Sequence, residues 1–416
     1  MATIEPAEVR LWRSARWIVG FGVLLVLAPI ALRMPNSYDG VAMQRVAVAL
    51  VDHGTPLVRQ SPDQFGLNTP YSGYGIGTSL VMAPLHLVGR VLGDPWHPMN
   101  LADGLLLCAT IVVVFETLRR RGIATRPALV ATALVAFGSP LLAYGITDFS
   151  EPGVALAVAL IVLSLDAAAR ATRAAAFAMG AAVGMAVLFR TDSFILVALP
   201  AAVALMCVSR RKGRDACDFV FGSAPAMVIW IAYNAARFQR PFSSGYRYQT
   251  FSHPFLRGVY GLTLSPGRGI FVYAPILVAA LAVLPALRST DRVIGVFAAV
   301  LLVTRVVFFA RWWAWYGGDV WGPRFLVPVL PAFAPAIATA LARWPRSRLV
   351  GGAVVATVSM SVIGVWVTAN PELNRYTGEQ ITPGSAREVM AQVTRPGYVQ
   401  RVDDTMFSWG HFPFGR

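Results

Sequence analysis

The chain has 416 residues, of which 56% are hydrophobic and 14% charged, and its mean hydropathy is +0.58. Soluble domains carry about 25% charged residues, so a soluble globular fold is excluded and the bilayer must solvate much of the apolar surface. The net charge of +15 does not indicate nucleic acid, because the basic residues gather in short runs between apolar stretches, as the positive-inside rule requires of cytoplasmic loops.

The first apolar run, Trp17 to Leu32, follows Arg10, Arg13 and Arg16. Arg33-Met-Pro-Asn follows it with no small-x-small cleavage site, so an uncleaved first helix is predicted rather than a signal peptide. Further runs of spanning length lie at 100–118, 127–145, 150–168, 174–189, 193–208, 217–235, 269–287, 292–309, 323–342 and 349–368. They predict an all-α bundle of about eleven transmembrane helices. Residues 78–93 are apolar too, but the stretch is short and holds Pro84 and His86. It reads as an interfacial or re-entrant helix.

Loop charge sets the topology. With the N-terminus inside, the cytoplasmic connections are Arg119 to Arg126, Arg170 with Arg173, Ser209 to Arg214, Arg288 with Arg292, and Arg343 to Arg348, all of them basic. Connections assigned outside carry acid, as in Thr147-Asp-Phe-Ser-Glu-Pro152 and Arg190-Thr-Asp192. The outer face of a cell membrane protein then receives residues 33–99, 236–268, 310–322 and a short tail, 369–416, after a transmembrane domain of 1–368. Cys108, Cys207 and Cys217 have no zinc-like spacing, and no disulfide is expected.

Candidate chemistry falls on that outer face. Asp39, beside Tyr38, sits just past the first helix, where partial desolvation suits a carboxylate to general-base work; an ordinary turn or helix-cap role is the alternative. Asp148 and Glu151 sit three apart at a tight turn and suit a site, or Ser150 or Asp148 simply caps the next helix with Glu151 and Pro152 in its first turn. Arg190 and Asp192 form a charged pair at a helix end, either facing a wet cavity or held in the headgroup region. In the third long loop, Pro241 to Tyr248 contains Tyr246, and Ser265-Pro-Gly-Arg268-Gly places a guanidinium at a helix start suited to phosphate, or forms a plain turn. Arg311 to Arg324 mixes Trp315 and other aromatics with Asp319 and Arg324. That mixture suits sugar stacking and phosphate binding, or an interfacial aromatic belt. Walker, G-x-G-x-x-G, H-E-x-x-H and G-x-S-x-G motifs are missing, the five histidines are scattered, and no metal site is assigned.

The order of these pieces resembles the polytopic GT-C class of glycosyltransferases, most nearly the bacterial relatives of protein O-mannosyltransferases and of the lipid A aminoarabinose transferase. The likeness runs over residues 17–345: Tyr38-Asp39, Tyr74 to Leu85 with its Ala-Pro-Leu, Phe149-Ser-Glu-Pro152, the Asn234 segment, Leu264 to Pro275, and Tyr316 to Pro331. It implies a GT-C-like bundle with short interfacial helices in the outer loops. It implies a sugar such as mannose or arabinose on a polyprenyl phosphate, moved with inversion to a glycan, lipid or protein acceptor. The matching positions make Asp39 the base. Arg268 and Arg324 are then candidates for the phosphate. Tyr38, Tyr74, Asp148, Glu151, Arg190, Asp192, Tyr246, Trp315 and Asp319 are candidates for the sugar or acceptor. Gly40 stands where such proteins often carry a second acid, and the resemblance leaves room for a divalent cation. A lipid or solute transporter or flippase is the competing reading and a non-catalytic scaffold subunit a third; few charges lie mid-span, since Asp103, Glu116 and Arg305 fall near helix ends.

Overall fold

The computed structural model describes residues 20–58, 72–172, 174–243, 249–287, 289–318, 320–370, 391–392 and 394–409. Among the described residues there is no strand. Helix α1 (Gly20–Ala31) leads into two helices of the first long loop, α2 (Tyr38–His53) and α3 (Gly77–Leu92). Then come α4 (Ala102–Arg120), α5 (Thr125–Phe137), the single turn α6 (Leu141–Tyr144), α7 (Glu151–Ala169), α8 (Ala175–Phe189), α9 (Phe194–Val208) and α10 (Lys212–Phe238). They are followed by α11 (Phe255–Thr263), α12 (Ile270–Tyr273), α13 (Ile276–Ala286), α14 (Ser289–Ala310), α15 (Arg324–Arg343), α16 (Arg348–Thr368) and α17 (Pro396–Phe407).

Among the described residues, nine of the eleven predicted runs each fall on one helix and two are divided between helices. Six helices are long and apolar enough to cross a membrane: α4, α7, α10, α14, α15 and α16. The other runs fall on shorter apolar helices of 10–17 residues. Two predicted runs are broken where proline interrupts the backbone ladder. The run 127–145 stops at Phe137, before Gly138-Ser-Pro140, and the run 269–287 divides at Pro275. The apolar stretch at 78–93 falls on the helix α3.

The bundle is built around α7 and α15. The apolar window of α15 is 83% buried and that of α7 72%, against 17% for α10, which lies at the rim. The first half of α15, Arg324–Phe333, is a 3-10 helix. Pro328 and Pro331 lack the amide N–H that an α-helix would use there. α8 and α10 approach through glycine: a Cβ at Gly180 would strike the Phe219 carbonyl, and one at Gly222 the Phe177 carbonyl. Both central helices begin at the same end of the bundle with a charge, Glu151 on α7 and Arg324 on α15, and the two side chains meet.

The segments assigned to one face touch one another. Arg121, Asp166 and Asp291 join the basic connections after α4, α7 and α13. At the opposite end, the α1–α2 corner is pinned by Gln44, which bonds both Asn36 and Asn100, while Asn100 donates to the carbonyls of Ala31 and Met34.

Candidate active site

Helix α2 is capped in two steps. The Ser37 hydroxyl oxygen accepts the Gly40 N–H at 3.0 Å, satisfying one of the orphan donors at a helix start. Ser37 then gives its own N–H (2.8 Å) and its O–H to the Asp148 carboxylate. Gly40 makes room for this: a Cβ there would overlap the Asp148 carboxyl group. Gly40→Ala is therefore expected to expel Asp148 and cost about 1–3 kcal/mol, read as a lower midpoint of thermal unfolding in detergent. Asp39 sits in the first turn of this capped helix, where the dipole favours a carboxylate.

From Asp39 a chain of charges runs inward. Tyr74 donates its O–H to Asp39 Oδ1 at 2.6 Å, and Arg324 Nη2 donates to Oδ2 at 2.7 Å. Arg324 Nε reaches Glu151 Oε1 at 2.9 Å, and its guanidinium lies 3.8 Å from the Phe149 ring centroid. Arg190 Nη1 donates to the same Glu151 oxygen at 2.6 Å while its Nε and Nη2 grip Asp192. Burial would raise the Asp192 pKa, but the charge and hydrogen bonds of Arg190, with Arg305 beyond, hold it below the usual carboxylate range. Arg305 is fully buried and donates Nη1 to the Phe325 carbonyl, while its Nε and Nη2 have no hydrogen-bond partner among the described residues. The Glu151 side chain is 1% exposed, whereas Asp39, Arg324, Arg190 and Asp192 keep 16%, 13%, 16% and 14%, so Glu151 lies behind the groups that a substrate can reach.

Three guanidiniums, Arg190, Arg305 and Arg324, balance Asp39, Glu151 and Asp192. Asp148 is the fourth carboxylate and forms no salt bridge among the described residues. Burial pushes its pKa up to about 6, and the charge of Asp39 adds to this, while the two Ser37 hydrogen bonds oppose it. The native state thus holds this proton more tightly than the unfolded chain does. Stability falls as pH rises from about 4 to about 6, and a cost of about 3 kcal/mol is fully present above that window. Lowering pH from 7 to 5 is expected to raise the unfolding midpoint of the wild type, and Asp148→Asn to reduce that rise.

The structure gathers Asp39, Tyr74, Asp148, Glu151, Arg190, Asp192 and Arg324 at this place, and Tyr38, next to Asp39 in the chain, is 39% exposed. Two expectations are corrected. Arg268 is not at a ligand-facing helix start: it is fully buried and donates to the carbonyls of Tyr316 (2.5 Å), Gly318 (2.7 Å) and Gly267 (2.9 Å). Trp315 offers no face to a sugar, being packed between His253 and Phe407 at 1% exposure. Tyr246 and Asp319 lie outside the described residues. Sequence reasoning missed the capping of Ser37 by Asp148, the Phe149 platform and Arg237. Arg237 holds the Ser72 and Tyr74 carbonyls at 2.5 and 2.7 Å, fixing the segment that presents the Tyr74 hydroxyl. Its signal was present in the Tyr233-Asn-Ala-Ala-Arg237 segment.

No protein-family profile and no curated protein sequence matches the chain. Among solved structures, it is similar to the crystal structure of ArnT from Cupriavidus metallidurans bound to undecaprenyl phosphate, with a TM-score of 0.57 at 17% identity, over 98% of this chain and 78% of that one. The apo state of the same protein gives a TM-score of 0.57 at 18% identity, over 97% and 78%. The chain has a GT-C fold. Within this fold the loop between α1 and α4 supplies Asp39 and Tyr74, the connection before α7 supplies Asp148 and Phe149, and the starts of α7 and α15 supply Glu151 and Arg324. Among the described residues no group of three or more His, Cys, Asp or Glu side chains is disposed to hold a metal ion.

Proposed function

We propose that the protein is a membrane glycosyltransferase that moves a sugar, such as mannose or arabinose, from a polyprenyl-phosphate carrier to an acceptor hydroxyl, with Asp39 as general base. The observation that carries this is the Asp39–Arg324 pair, open at the mouth and braced by buried charges behind. The fold shared with ArnT, solved with undecaprenyl phosphate, supports the choice of carrier. Basic connections at the opposite end of the bundle support an outward-facing site in the cell membrane.

The reaction follows from the groups present. The acceptor oxygen bonds to the anomeric carbon and gives its proton to Asp39. The bond from that carbon to the phosphate oxygen breaks, its electron pair leaves with the polyprenyl phosphate, and the configuration inverts. Phosphate leaves readily, so the protein must supply a base, positive charge and alignment. Arg324 links these needs. A donor phosphate competes with Asp39 for its guanidinium, so binding the donor frees the base beside the acceptor. Arg190, gripped by Glu151 and Asp192, stays behind as a fixed positive charge.

The test is transfer by the purified protein from a panel of labelled polyprenyl-phosphate sugars to glycan, lipid and peptide acceptors. The expected product has inverted anomeric configuration. Crossing of the intact carrier through a liposome bilayer, with no sugar transferred from any donor, would overturn the reading in favour of a flippase.

A further inference from the structure

The C-terminal helix has no part in the reaction above, yet it docks through a buried ion pair. Asp403 on α17 and His253, just before α11, each have side chains 1% exposed, and His253 Nε2 lies 3.0 Å from Asp403 Oδ1. His253 Nδ1 faces the Ala310 carbonyl at 3.2 Å. Both ring nitrogens thus face acceptor atoms, whereas a neutral imidazole has a single N–H. Arg257 Nη1 approaches the other Asp403 oxygen at 3.3 Å. An arrangement so fully desolvated costs more to leave half-made than a surface contact does.

The contacts of α17 converge on the loop between α14 and α15. Tyr398 meets Tyr316, hydroxyl to hydroxyl, at 3.1 Å. Phe407 and His253 both pack against the Trp315 ring, with centroids 5.7 and 5.4 Å away. The Met406 carbonyl accepts the Gly267 N–H at 2.9 Å. Gly267 precedes Arg268, whose guanidinium clamps the carbonyls of Tyr316 and Gly318. The carbonyl between those two, Gly317, faces Arg324 Nη1 at 3.4 Å. A continuous path of packed and hydrogen-bonded groups thus joins Asp403 to the guanidinium that holds Asp39.

We propose that α17 is a latch, and that Asp403 and His253 are positioning residues for the Asp39–Arg324 pair. The catalytic part of this statement rests on the glycosyltransferase reading; the latch itself does not. Neither residue touches substrate. Breaking their contact frees α17, loosens the clamp at 316–318 and lets Arg324 drift from the place where it exchanges Asp39 for phosphate.

The test uses the full-length protein with Cys207 and Cys217 replaced by Ser. Asp403→Asn is expected to lower kcat by about tenfold, the scale of one lost charged hydrogen bond. Tyr260→Cys with Phe407→Cys, whose rings lie 4.9 Å apart, then allows α17 to be tied back by a short bis-methanethiosulfonate after purification. Cross-linking is expected to restore kcat in the Asp403→Asn protein and reductant to abolish the gain, which a simple folding defect would not show. A second measurement needs no catalysis: Val320→Cys, buried in the clamped loop, should react with maleimide about tenfold faster when Asp403 is Asn. If the wild type transfers no sugar, the functional reading fails and the labelling rate alone decides the latch. Unchanged labelling, or a kcat loss that high-yield cross-linking does not repair, would overturn it.

Discussion

Asp39→Asn is expected to lower sugar transfer by about 10²–10⁴-fold, the usual contribution of a positioned general base, without unfolding the protein. Asparagine keeps the shape of the side chain and can still accept the Tyr74 hydroxyl through its oxygen. It cannot take a proton from the acceptor, and it binds the Arg324 guanidinium more weakly than a carboxylate does. The second property separates this mechanism from a general loss of structure. If donor phosphate and Asp39 compete for Arg324, the variant should bind polyprenyl phosphate at least as tightly as the wild type while failing to turn it over. Equilibrium binding of labelled carrier and single-turnover transfer, measured on the same preparation, give both numbers. Wild-type turnover in Asp39→Asn would remove Asp39 from the mechanism. Weaker carrier binding would remove the exchange at Arg324.

Much of the architecture was legible because the bilayer imposes length and apolarity on each span, and loop charge follows the helix ends. The acidic and basic residues that form the network were also visible, but only as separate pairs, each with a local explanation in capping or headgroup contact. What joined them was the common start of α7 and α15, and a contact 111 residues long between Ser37 and Asp148. No local pattern announces such a contact. Gly40 was visible as a missing acid, whereas its physical role is to leave room for the carboxyl group of Asp148. Arg268 misled for a related reason. A guanidinium after Ser-Pro-Gly looks aimed at an anion, but backbone carbonyls at a tight glycine turn also need donors, and here they take three of its bonds. Trp315 likewise fits a sugar platform or a core, and residue type alone cannot separate the two.

Arg324→Ala is expected to be the most destabilising single change in the site. It leaves Asp39 facing a space emptied of positive charge, and Glu151, 1% exposed, with Arg190 in place of two guanidiniums. Removing one partner of a buried ion pair costs about 3–5 kcal/mol, and loss of the stack on Phe149 adds to it. Arg190 still holds Glu151, so the charge left least compensated is Asp39. That asymmetry makes the effect testable beyond its size. Adding Asp39→Asn to Arg324→Ala should recover part of the lost stability, because the stranded carboxylate is then gone, whereas Glu151→Gln should recover less. Arg324→Lys should fold better than Arg324→Ala yet transfer slowly, since one ammonium cannot reproduce the fork that spans both carboxylates. Thermal unfolding in detergent across the singles and doubles measures the coupling directly. Strictly additive losses for Asp39→Asn and Arg324→Ala would mean that the pair at the mouth of the site contributes nothing as a pair, and the exchange of Asp39 for phosphate would lose its physical basis.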